Sequence, residues 1–548
     1  MKKYLIEIGV PSIKKYVFGT NKLKEIRGAS ALLNYLNSDY YLLNQIKSSL
    51  PEAECIFAGG GSAQFIVKGT EEEVENCMNK LANTFSQETN YGLKLIYGKA
   101  DLSKYNDNYK IARKVAIFES NRKRDEFPIE NLPVQHVSYV RECDSCSGVI
   151  QYNENKDSEN NTNTEQADIE NKAKFDDRVL CNICSKKIHY SSFAKNYNSA
   201  VKDKINKTYN INIRPSKDFA QIGENCKSRK NYTAVVYADG NSMGKIIQQI
   251  DSPDLYDFFS KTVENAIEDS CIEALCEIYG NFYNQSDIFP AEILLLGGDD
   301  LIVYLTAESA FKFATSVAQK FNTKTKEKFK EYDKPFFKNL LQEKGLTISL
   351  GIAYGKSHTP FNMLLNQAEQ LLKSAKTAGA KDPDSTMYYA PTYIDYNILT
   401  NFNQVEVSQV RKEFLHLDKI IIEDEKPRPY QKLKLYQKPY SLDNAEKLYD
   451  HAKELAKIIP NSRLKRFGVA PNLGKVNATL ECLSLYTGSR ESNQRKAIWE
   501  ALSQFGCMEE IPWKTEDQST NHYSTMIIDL VELAGFIRKV DNQVKNAP

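Results

Sequence analysis

Apolar residues recur along the chain in two series of similar segments. Short apolar runs typical of β-strands open both series, at Tyr4–Gly9 and Ala234–Asp239. Each series continues with two apolar runs joined by a glycine-rich turn, at Cys55–Val67 and Ile293–Leu305. Strand, tight turn and strand in this order are the pattern of a β-hairpin. We therefore predict two copies of one structural unit.

A helix and a further strand follow each predicted hairpin. Apolar residues stand at helical spacing in Glu71–Thr89 and in Glu308–Phe329. Apolar strand-like runs come next, at Leu93–Tyr97 and Leu346–Tyr354. The order β-α-β-β-α-β is that of the split βαβ, or ferredoxin-like, arrangement. The pattern predicts an α+β protein that contains two ferredoxin-like units.

The last third of the chain has a different periodicity. Apolar residues recur at spacings of three and four in Ala445–Ile459, Val476–Leu485 and Thr525–Ile537, which predicts a C-terminal helical bundle. The stretch Arg428–Tyr440 interleaves basic and aromatic residues. That composition suits RNA or a protein partner, and it equally suits an ordinary solvated surface.

Composition and charge narrow the class of protein. A chain of 548 residues is long enough for several domains. Its 72 basic and 71 acidic residues give no overall field that would draw it to nucleic acid. No apolar run approaches the roughly 18 residues of a membrane span, and Glu7 interrupts the apolar start of the chain. We expect neither secretion nor membrane insertion, and a cytoplasmic location.

Two Cys-x-x-Cys pairs lie between the two predicted units. Cys143 and Cys146 form the first pair, Cys181 and Cys184 the second, and 34 residues separate the pairs. Four thiolates in one short module predict a closed, structural Zn²⁺ site; a redox pair is the alternative. The polar tract Tyr152–Lys174 accounts for the long separation as a disordered surface insertion.

Three carboxylates are the candidates for catalysis. Asp239 ends an apolar strand, and Asp299 and Asp300 occupy the turn of the next hairpin. Neighbouring strands of a split βαβ sheet would place them at one end of the sheet. Mg²⁺ prefers carboxylate and phosphate oxygens, and a pair of such ions activates an attacking hydroxyl and stabilises leaving pyrophosphate. The pattern predicts nucleotidyl transfer with Mg²⁺ or Mn²⁺ held by these residues.

Glycines and a lysine complete the candidate site. Gly297 and Gly298 carry no side chain, so a nucleotide has room against that turn, and Gly240 gives similar access beside Asp239. Lys376 lies on a predicted amphipathic helix within reach of a triphosphate, with Lys373 as the competing lysine. The alternative is that Gly-Gly-Asp-Asp forms a favourable hairpin turn and has no catalytic role.

These motifs together resemble a known family. Tyr-Ala-Asp239-Gly-Asn-Ser-Met-Gly, Leu-Gly-Gly-Asp299-Asp300 and a helix with Ala375-Lys376 are similar to the palm of the large polymerase-cyclase subunit of type III CRISPR effector complexes. Arg27-Gly-Ala-Ser-Ala-Leu-Leu33 resembles the first palm of that family. The resemblance extends over the whole chain and implies four domains: a first palm at 1–130, a zinc module at 131–227, a second palm at 228–395 and a helical domain at 396–548.

The resemblance also implies a function and partners. The expected activity is synthesis of 3′–5′-linked cyclic oligoadenylate messengers from ATP, in a complex with other subunits, guide RNA and target RNA. Asp239, Asp299 and Asp300 would carry the metals and Lys376 would contact phosphates. The first palm has Gly9, Gly61 and Ser62 where the second has carboxylates, so it holds no catalytic metal. The residues expected to bind nucleotide are Gly240, Asn241, Gly297, Gly298, Lys376, Gly59, Gly60 and Gly61.

Two departures from the family pattern matter. The chain opens on the first palm, with six histidines and no His-Asp dipeptide, so a histidine–aspartate nuclease domain is not expected. Asn241 stands where many relatives have a second Asp, which makes Asp239 the metal ligand of that strand. Two alternatives stay open: the same site joining AMP to another acceptor such as S-adenosylmethionine, and a scaffold subunit that binds nucleotide without catalysis.

Overall fold

The structure is a computed structural model. It describes residues 2–125, 142–148, 174–175, 178–191, 201, 203–204, 206–207, 214–280, 288–332, 335–399, 406–423, 426–488, 492–519 and 521–537. The predicted insertion at 152–174 lies, apart from Lys174, outside the described residues.

The chain divides into two compact units. The first unit comprises Met1–Asp203, Met243–Glu268 and Leu294–Asp300, and the second comprises Lys204–Ser242, Asp269–Ile293 and Leu301–Pro548. The four domain boundaries expected from the sequence stay a prediction.

The first unit contains a four-stranded antiparallel sheet in the order β2-β3-β1-β4. Its strands are β1 (Lys2–Gly9), β2 (Glu54–Gly59), β3 (Ser62–Gly69) and β4 (Ile96–Asp101). This strand order is that of a ferredoxin-like unit, so the predicted split βαβ fold is confirmed. The α-helices of this unit include Ile13–Val17, Leu23–Leu36, Asp39–Lys47, Glu71–Glu88, Tyr109–Asp125, Asn182–Ser191 and Met243–Ile247, and a 3₁₀ helix covers Leu102–Tyr105. A separate two-stranded sheet pairs β5 (Lys174–Phe175) with β6 (Arg178–Val179).

Local sequence explains the helix after the first hairpin. Thr70 accepts a hydrogen bond from the backbone of Glu73 while the Glu73 side chain accepts one from the backbone of Thr70, so a capping box starts Glu71–Glu88. Strand β4 begins at Ile96, three residues after the predicted Leu93. Leu93 and Leu95 are buried although they lie before the strand, so the apolar pattern misplaced its start.

A six-stranded sheet has the order β14-β11-β10-β7-β9-β8. Its strands are β7 (Tyr232–Gly240), β8 (Ala291–Gly297), β9 (Asp300–Thr306), β10 (Ile348–Lys356), β11 (Tyr393–Ile398) and β14 (Tyr440–Ser441). The run β10-β7-β9-β8 repeats the ferredoxin-like order, and β11 adds in parallel to β10. The helices of the second unit up to residue 381 include Phe219–Glu224, Ala307–Glu331, Phe336–Leu341 and Phe361–Lys381. The helix Pro253–Tyr279 enters the second unit at Asp269.

The C-terminal region contains the predicted helices and a sheet that was not predicted. The helices are Val407–Phe414, Leu442–Ile458, Asn461–Val469, Lys475–Thr487, Ser492–Gln504 and Ile527–Ile537, with a 3₁₀ turn at Ala470–Leu473. Strands β12 (His416–Glu423), β13 (Lys426–Lys434), β15 (Lys514–Asp517) and β16 (His522–Ser524) form a sheet in the order β12-β13-β16-β15. The predicted C-terminal helices are confirmed, and the sheet is an addition to them.

Part of the basic and aromatic stretch is core rather than surface. Lys438 is fully buried, and its ammonium group lies 2.9 Å from Glu532 Oε2 and 3.5 Å from Asp529 Oδ1. Tyr440 is also buried and donates its hydroxyl proton to Asp529. These residues join the strand region to the Ile527–Ile537 helix. Among the helices described, none is both long enough and apolar enough for a membrane span.

Candidate active site and cysteine cluster

The two ferredoxin-like sheets carry different residues at the same place in their ladders. In the first sheet Gly9, the last residue of β1, pairs with Ser62, the first residue of β3. In the second sheet the β7–β9 ladder runs to the pair Ala238 and Leu301. Asp239 is the next residue of β7, and Asp300 is the preceding residue of β9. The carboxylates therefore take the strand positions that Gly9 and Ser62 have in the first sheet.

Lys376 holds Asp239 in the second unit. The ammonium group forms an ion pair with the Asp239 carboxylate and donates a 2.8 Å hydrogen bond to the carbonyl oxygen of Gly240. The Phe361–Lys381 helix positions it by burying Leu371, Leu372 and Ala375 against the sheet, which leaves Lys376 part-exposed. The competing Lys373 is exposed. Lys376 thus lies beside the strand end with a carboxylate as its partner, and its expected contact with phosphate stays a prediction.

Asn241 is buried and fixes the end of the strand. Its side-chain nitrogen donates to Thr347 Oγ1 at 3.0 Å and to the Ala390 carbonyl at 3.3 Å, and its side-chain oxygen accepts from Ser349 Oγ at 3.0 Å. Its backbone N–H donates to the Thr347 carbonyl at 2.9 Å. These contacts give Asn241 a positioning role, and its expected contact with nucleotide stays a prediction.

Lys14 is a residue of the site that sequence reasoning missed. It lies on the short Ile13–Val17 helix, and its Nζ is 3.3 Å from Asp300 Oδ2 and 3.5 Å from Asp300 Oδ1. Asp300 is less exposed than Lys14, at 29% against 46% of the side chain. The available signal was its place in the loop after β1, the loop that in the second copy follows Asp239.

The two glycine turns touch each other through their backbones within the first unit. Gly60, Gly61 and Gly298 have φ of 58°, 83° and 61°, a region that favours glycine. A Cβ on Gly60 would lie 3.0 Å from the Gly298 nitrogen, and one on Gly297 would lie 3.2 Å from the Gly60 Cα. Both approaches are tighter than ordinary Cβ contacts, so close packing favours glycine at 60 and 297, and the positive φ favours it at 298, without requiring a nucleotide.

A cavity of about 400 Å³ adjoins these turns in the first unit. Gly59, Gly60, Gly61, Gly297, Asp300 and Lys14 line one part of it, and Ser30, Asn34, Asn37, Asp39, Lys261 and Glu264 line another. Burial raises the pKa of Glu264, and the carboxylates of Glu268 and Asp39 raise it further. The volume lies in the range of about 300–1,000 Å³ usual for small-molecule sites. The cavity has charged and hydrogen-bonding groups suited to a polar ligand.

The four predicted cysteines form a compact cluster. Their sulfur atoms all lie within 4.8 Å of one another, and Cys146 Sγ is 3.7 Å from Cys181 Sγ. A tetrahedral site with Zn–S bonds of roughly 2.3 Å has sulfur–sulfur edges of roughly 3.8 Å, so the arrangement fits a metal ion. Hydrogen bonds from the Cys181 and Cys184 thiols lower the pKa of Cys146, which favours a thiolate. Among the described residues no second group of three or more metal-ligating side chains is as compact, so Asp239, Asp299 and Asp300 are not gathered in this way.

The region that contains Asp239, Asp299, Asp300 and Lys376 matches a known family model. Residues 232–383 match the model described as Cas10/Cmr2, second palm domain. No curated protein sequence matches the chain significantly.

Similar solved structures cover almost the whole chain. A chain of the Csm1–Csm4 cassette in complex with cA3 is 14% identical, with a TM-score of 0.55, covering 98% of this chain and 70% of that one. The apo Csm1–Csm4 cassette gives 15% identity, a TM-score of 0.53 and the same shares of 98% and 70%. A chain of the Csm1–Csm4 subcomplex of the type III-A CRISPR-Csm interference complex is 15% identical, with a TM-score of 0.54, and the match covers 98% of this chain and 70% of that one. At these identities the likeness shows the fold alone, and residues 232–383 are similar to the second palm domain of Cas10/Cmr2 proteins.

Proposed function

We propose that the chain is a nucleotidyltransferase that makes 3′–5′-linked cyclic oligoadenylate from ATP in type III CRISPR defence. The observation that carries the proposal is the strand end in the region that matches the Cas10/Cmr2 palm model. The last pair of the β7–β9 ladder is Ala238 and Leu301; Asp239 follows Ala238 on β7, and Asp300 precedes Leu301 on β9. The corresponding positions of the first sheet, Gly9 and Ser62, have no carboxylate. The second sheet therefore offers carboxylates to a divalent cation at this position, and the first sheet has the same strand order without them.

The carboxylates are suitable ligands for Mg²⁺ or Mn²⁺. Asp239 and Asp300 each accept a lysine ammonium group, so each already stabilises a positive charge at its oxygens. Asp299 adds a further carboxylate in the turn between β8 and β9, next to Asp300. A bound divalent cation would lower the pKa of the attacking 3′-hydroxyl and offset charge on the leaving pyrophosphate. The donor set fits this role because both ions prefer oxygen ligands.

The chain's other residues would bind and orient the two nucleotides. Gly297 and Gly298 leave the turn open for one triphosphate, and Lys376 would donate to its phosphate oxygens. The cavity beside Gly59, Gly60 and Gly61 would take the other nucleotide. The 3′-oxygen of one ATP attacks the α-phosphorus of the other, a new P–O bond forms, and the bond to pyrophosphate breaks.

The cysteine cluster is proposed as a structural Zn²⁺ site. Four thiolates would complete the shell and leave no position for a substrate. The matched structures pair Csm1 with Csm4, and several are complexes with one ATP, pppApA, cA3 or cA4. By analogy of fold we propose partner subunits of the same kind here, with guide RNA and target RNA.

Product analysis by mass spectrometry tests the proposal. The protein, alone and in a reconstituted RNA-guided complex, is incubated with Mn²⁺ or Mg²⁺, ATP, GTP and S-adenosylmethionine. We expect cyclic oligoadenylate from the wild type and none from Asp299→Ala/Asp300→Ala. The matched control is Asp384→Ala, which removes an exposed carboxylate from a loop of the second unit and should leave the product unchanged.

The other outcomes select among the alternatives. An adenylated S-adenosylmethionine that disappears in the double variant would keep the active site and change the acceptor. No product from the fully assembled, target-bound complex would favour the scaffold function. Product that persists in Asp299→Ala/Asp300→Ala would show that the catalytic carboxylates lie elsewhere.

A further inference from the structure

We infer that Lys14 is a positioning residue of the candidate active site that competes with the divalent cation for Asp300 and donates to nucleotide phosphate once the cation has bound. The inference rests on the proposed function. Its observation is the ion pair between Lys14 Nζ and Asp300, at 3.3 Å from Oδ2. Lys14 also lines the cavity next to the glycine turns, together with Asp300 itself.

The helix that carries Lys14 is held from two sides within the first unit. Lys187, on the helix that also carries Cys184, donates from Nζ to the Tyr16 carbonyl at 2.5 Å and lies 4.2 Å from the centre of the Tyr16 ring. Lys187 is 3% exposed, so this bond is shielded from water. On the other side a Cβ on Gly61 would overlap Cδ1 of Ile13, which shows how closely the turn packs on the helix. Both contacts fix the backbone from which Lys14 extends.

Charge explains why one lysine serves two partners. An ammonium group and a divalent cation both seek the oxygens of Asp300, and the divalent ion has the stronger field. A lysine displaced from the carboxylate keeps its charge and takes the nearest anionic oxygens. A triphosphate held against the glycine turns supplies such oxygens. Cation and nucleotide therefore bind with positive cooperativity, because the nucleotide stabilises the lysine that the cation displaces.

Asp239 has the same arrangement in the second unit. Lys376 pairs with its carboxylate and with the Gly240 carbonyl, so a lysine stands at each of these two candidate metal ligands. Lys376 was already expected to contact phosphate. Lys14 adds an equivalent cation from the copy of the fold that lacks the carboxylates.

Mn²⁺ binding followed by electron paramagnetic resonance separates the two roles of Lys14. Without nucleotide, Lys14→Met should bind Mn²⁺ about two- to five-fold more tightly than the wild type, because the competing ion pair is of the weak, part-exposed kind. Lys15→Met is the matched control, since Lys15 is the exposed neighbour on the same helix. It should leave the Mn²⁺ affinity unchanged.

The second arm uses α,β-methylene-ATP, whose α–β linkage resists cleavage. With saturating Mn²⁺, Lys14→Met should bind this analogue roughly ten-fold more weakly, because a charge-assisted hydrogen bond to phosphate is lost. Lys14→Arg should restore analogue binding to near the wild-type value. A purely structural effect would not strengthen Mn²⁺ binding while weakening nucleotide binding, and circular dichroism with zinc analysis verifies that the variants are folded.

Asp300→Asn distinguishes failure of the inference from failure of the proposed function. If Asp300→Asn weakens Mn²⁺ binding but Lys14→Met behaves as Lys15→Met in both arms, the role of Lys14 is overturned and the metal site stands. If Asp300→Asn leaves Mn²⁺ binding unchanged, Asp300 is not a metal ligand, and both the inference and the metal assignment fall.

Discussion

The two ferredoxin-like sheets have the same strand order and contrasting chemistry. In the first sheet β1 ends at Gly9 opposite Ser62, and two residues earlier the half-buried Glu7, whose Oε2 is shielded from solvent, lies opposite Gln64. In the second sheet β7 reaches Asp239, and two residues earlier it has the buried Tyr237. The first copy thus has a half-buried carboxylate within the strand, two residues before its end, and the second has a carboxylate near the strand end. The fold supplies the same position in both sheets, and in the proposed function only the second sheet has carboxylates there for a cation.

Replacing the residue at the strand end, Asp239 in the second sheet and Gly9 in the first, gives the largest expected effect on the rate of product formation. Asp239→Ala should lower product formation by about 10³-fold, because a ligand to a cation that contributes several kcal/mol to the transition state is lost. Gly9→Ala is the matched change in the first sheet, where a Cβ meets nothing within 4 Å. It should leave the rate unchanged within a factor of about two. Initial rates of pyrophosphate release measure both variants.

The result would contradict the comparison if the two variants lost activity equally. That outcome would mean that the strand end of the first sheet takes part in the chemistry itself. Tm values for each variant exclude loss of folded protein as the cause.

The glycine turns provide a second contrast, in stability. Gly60→Ala should lower the free energy of unfolding by about 2–4 kcal/mol, since it combines a positive φ with a Cβ only 3.0 Å from the Gly298 nitrogen. Gly298→Ala should cost about 1–2 kcal/mol, because its φ is 61° and its Cβ would meet nothing within 4 Å. Urea titrations followed by circular dichroism provide the comparison. Equal losses would show that the backbone contact between the turns does not constrain Gly60.

The buried carboxyl of the first sheet predicts a pH effect. Burial raises the pKa of Glu7 from 4.5 to about 7, and the opposing charge of Arg113 offsets only part of that shift. Between these pH values the folded chain retains a proton that the unfolded chain has lost, so stability falls as pH rises from 4.5 to 7. Glu7→Gln removes this dependence. Its advantage over the wild type should grow from near zero at pH 4.5 to about 2–3 kcal/mol at pH 8.

The control for this experiment is Glu72→Gln, an exposed change on the neighbouring helix. Urea unfolding at several pH values gives the difference between each variant and the wild type. A Glu7→Gln difference that stays constant with pH, as expected for Glu72→Gln, would show that Glu7 is charged in the folded chain.

Elements with a strong local signal could be predicted from the sequence. The two hairpins and the helices after them follow from apolar periodicity and turn glycines, and the cysteine cluster follows from its spacing. The C-terminal sheet could not be predicted in this way. Strand β13 contains Pro427 and Pro429, which are poor strand residues, and they are accommodated because β16 pairs only with Lys432–Lys434.

Side-chain partners were the harder part of the site. Lys14 and Asp300 are 286 residues apart in sequence. No local pattern indicates that a lysine on a five-residue helix forms an ion pair with so distant a carboxylate. Asn241 was expected among the nucleotide-binding residues through the resemblance of its motif, and that contact stays a prediction. Its actual partners, Thr347, Ser349 and Ala390, are more than 100 residues away, so only the folded chain shows that its hydrogen bonds are already used.

Substitutions of Asn241 should have the smallest effect on stability. They test whether a second carboxylate near the end of β7 would change cation binding. Asn241→Asp replaces the amide donor to Thr347 and Ala390 by a carboxylate, which would then face the Ala390 carbonyl oxygen. It should lower the free energy of unfolding by about 1–2 kcal/mol, and Asn241→Ala should cost somewhat less because it leaves no buried charge. Both variants should bind Mn²⁺ with equal affinity if residue 241 only fixes the strand end. A tighter Mn²⁺ site in Asn241→Asp than in Asn241→Ala would instead show that a second carboxylate on this strand reaches the cation, as the family pattern implies for a chain with Asp at this position.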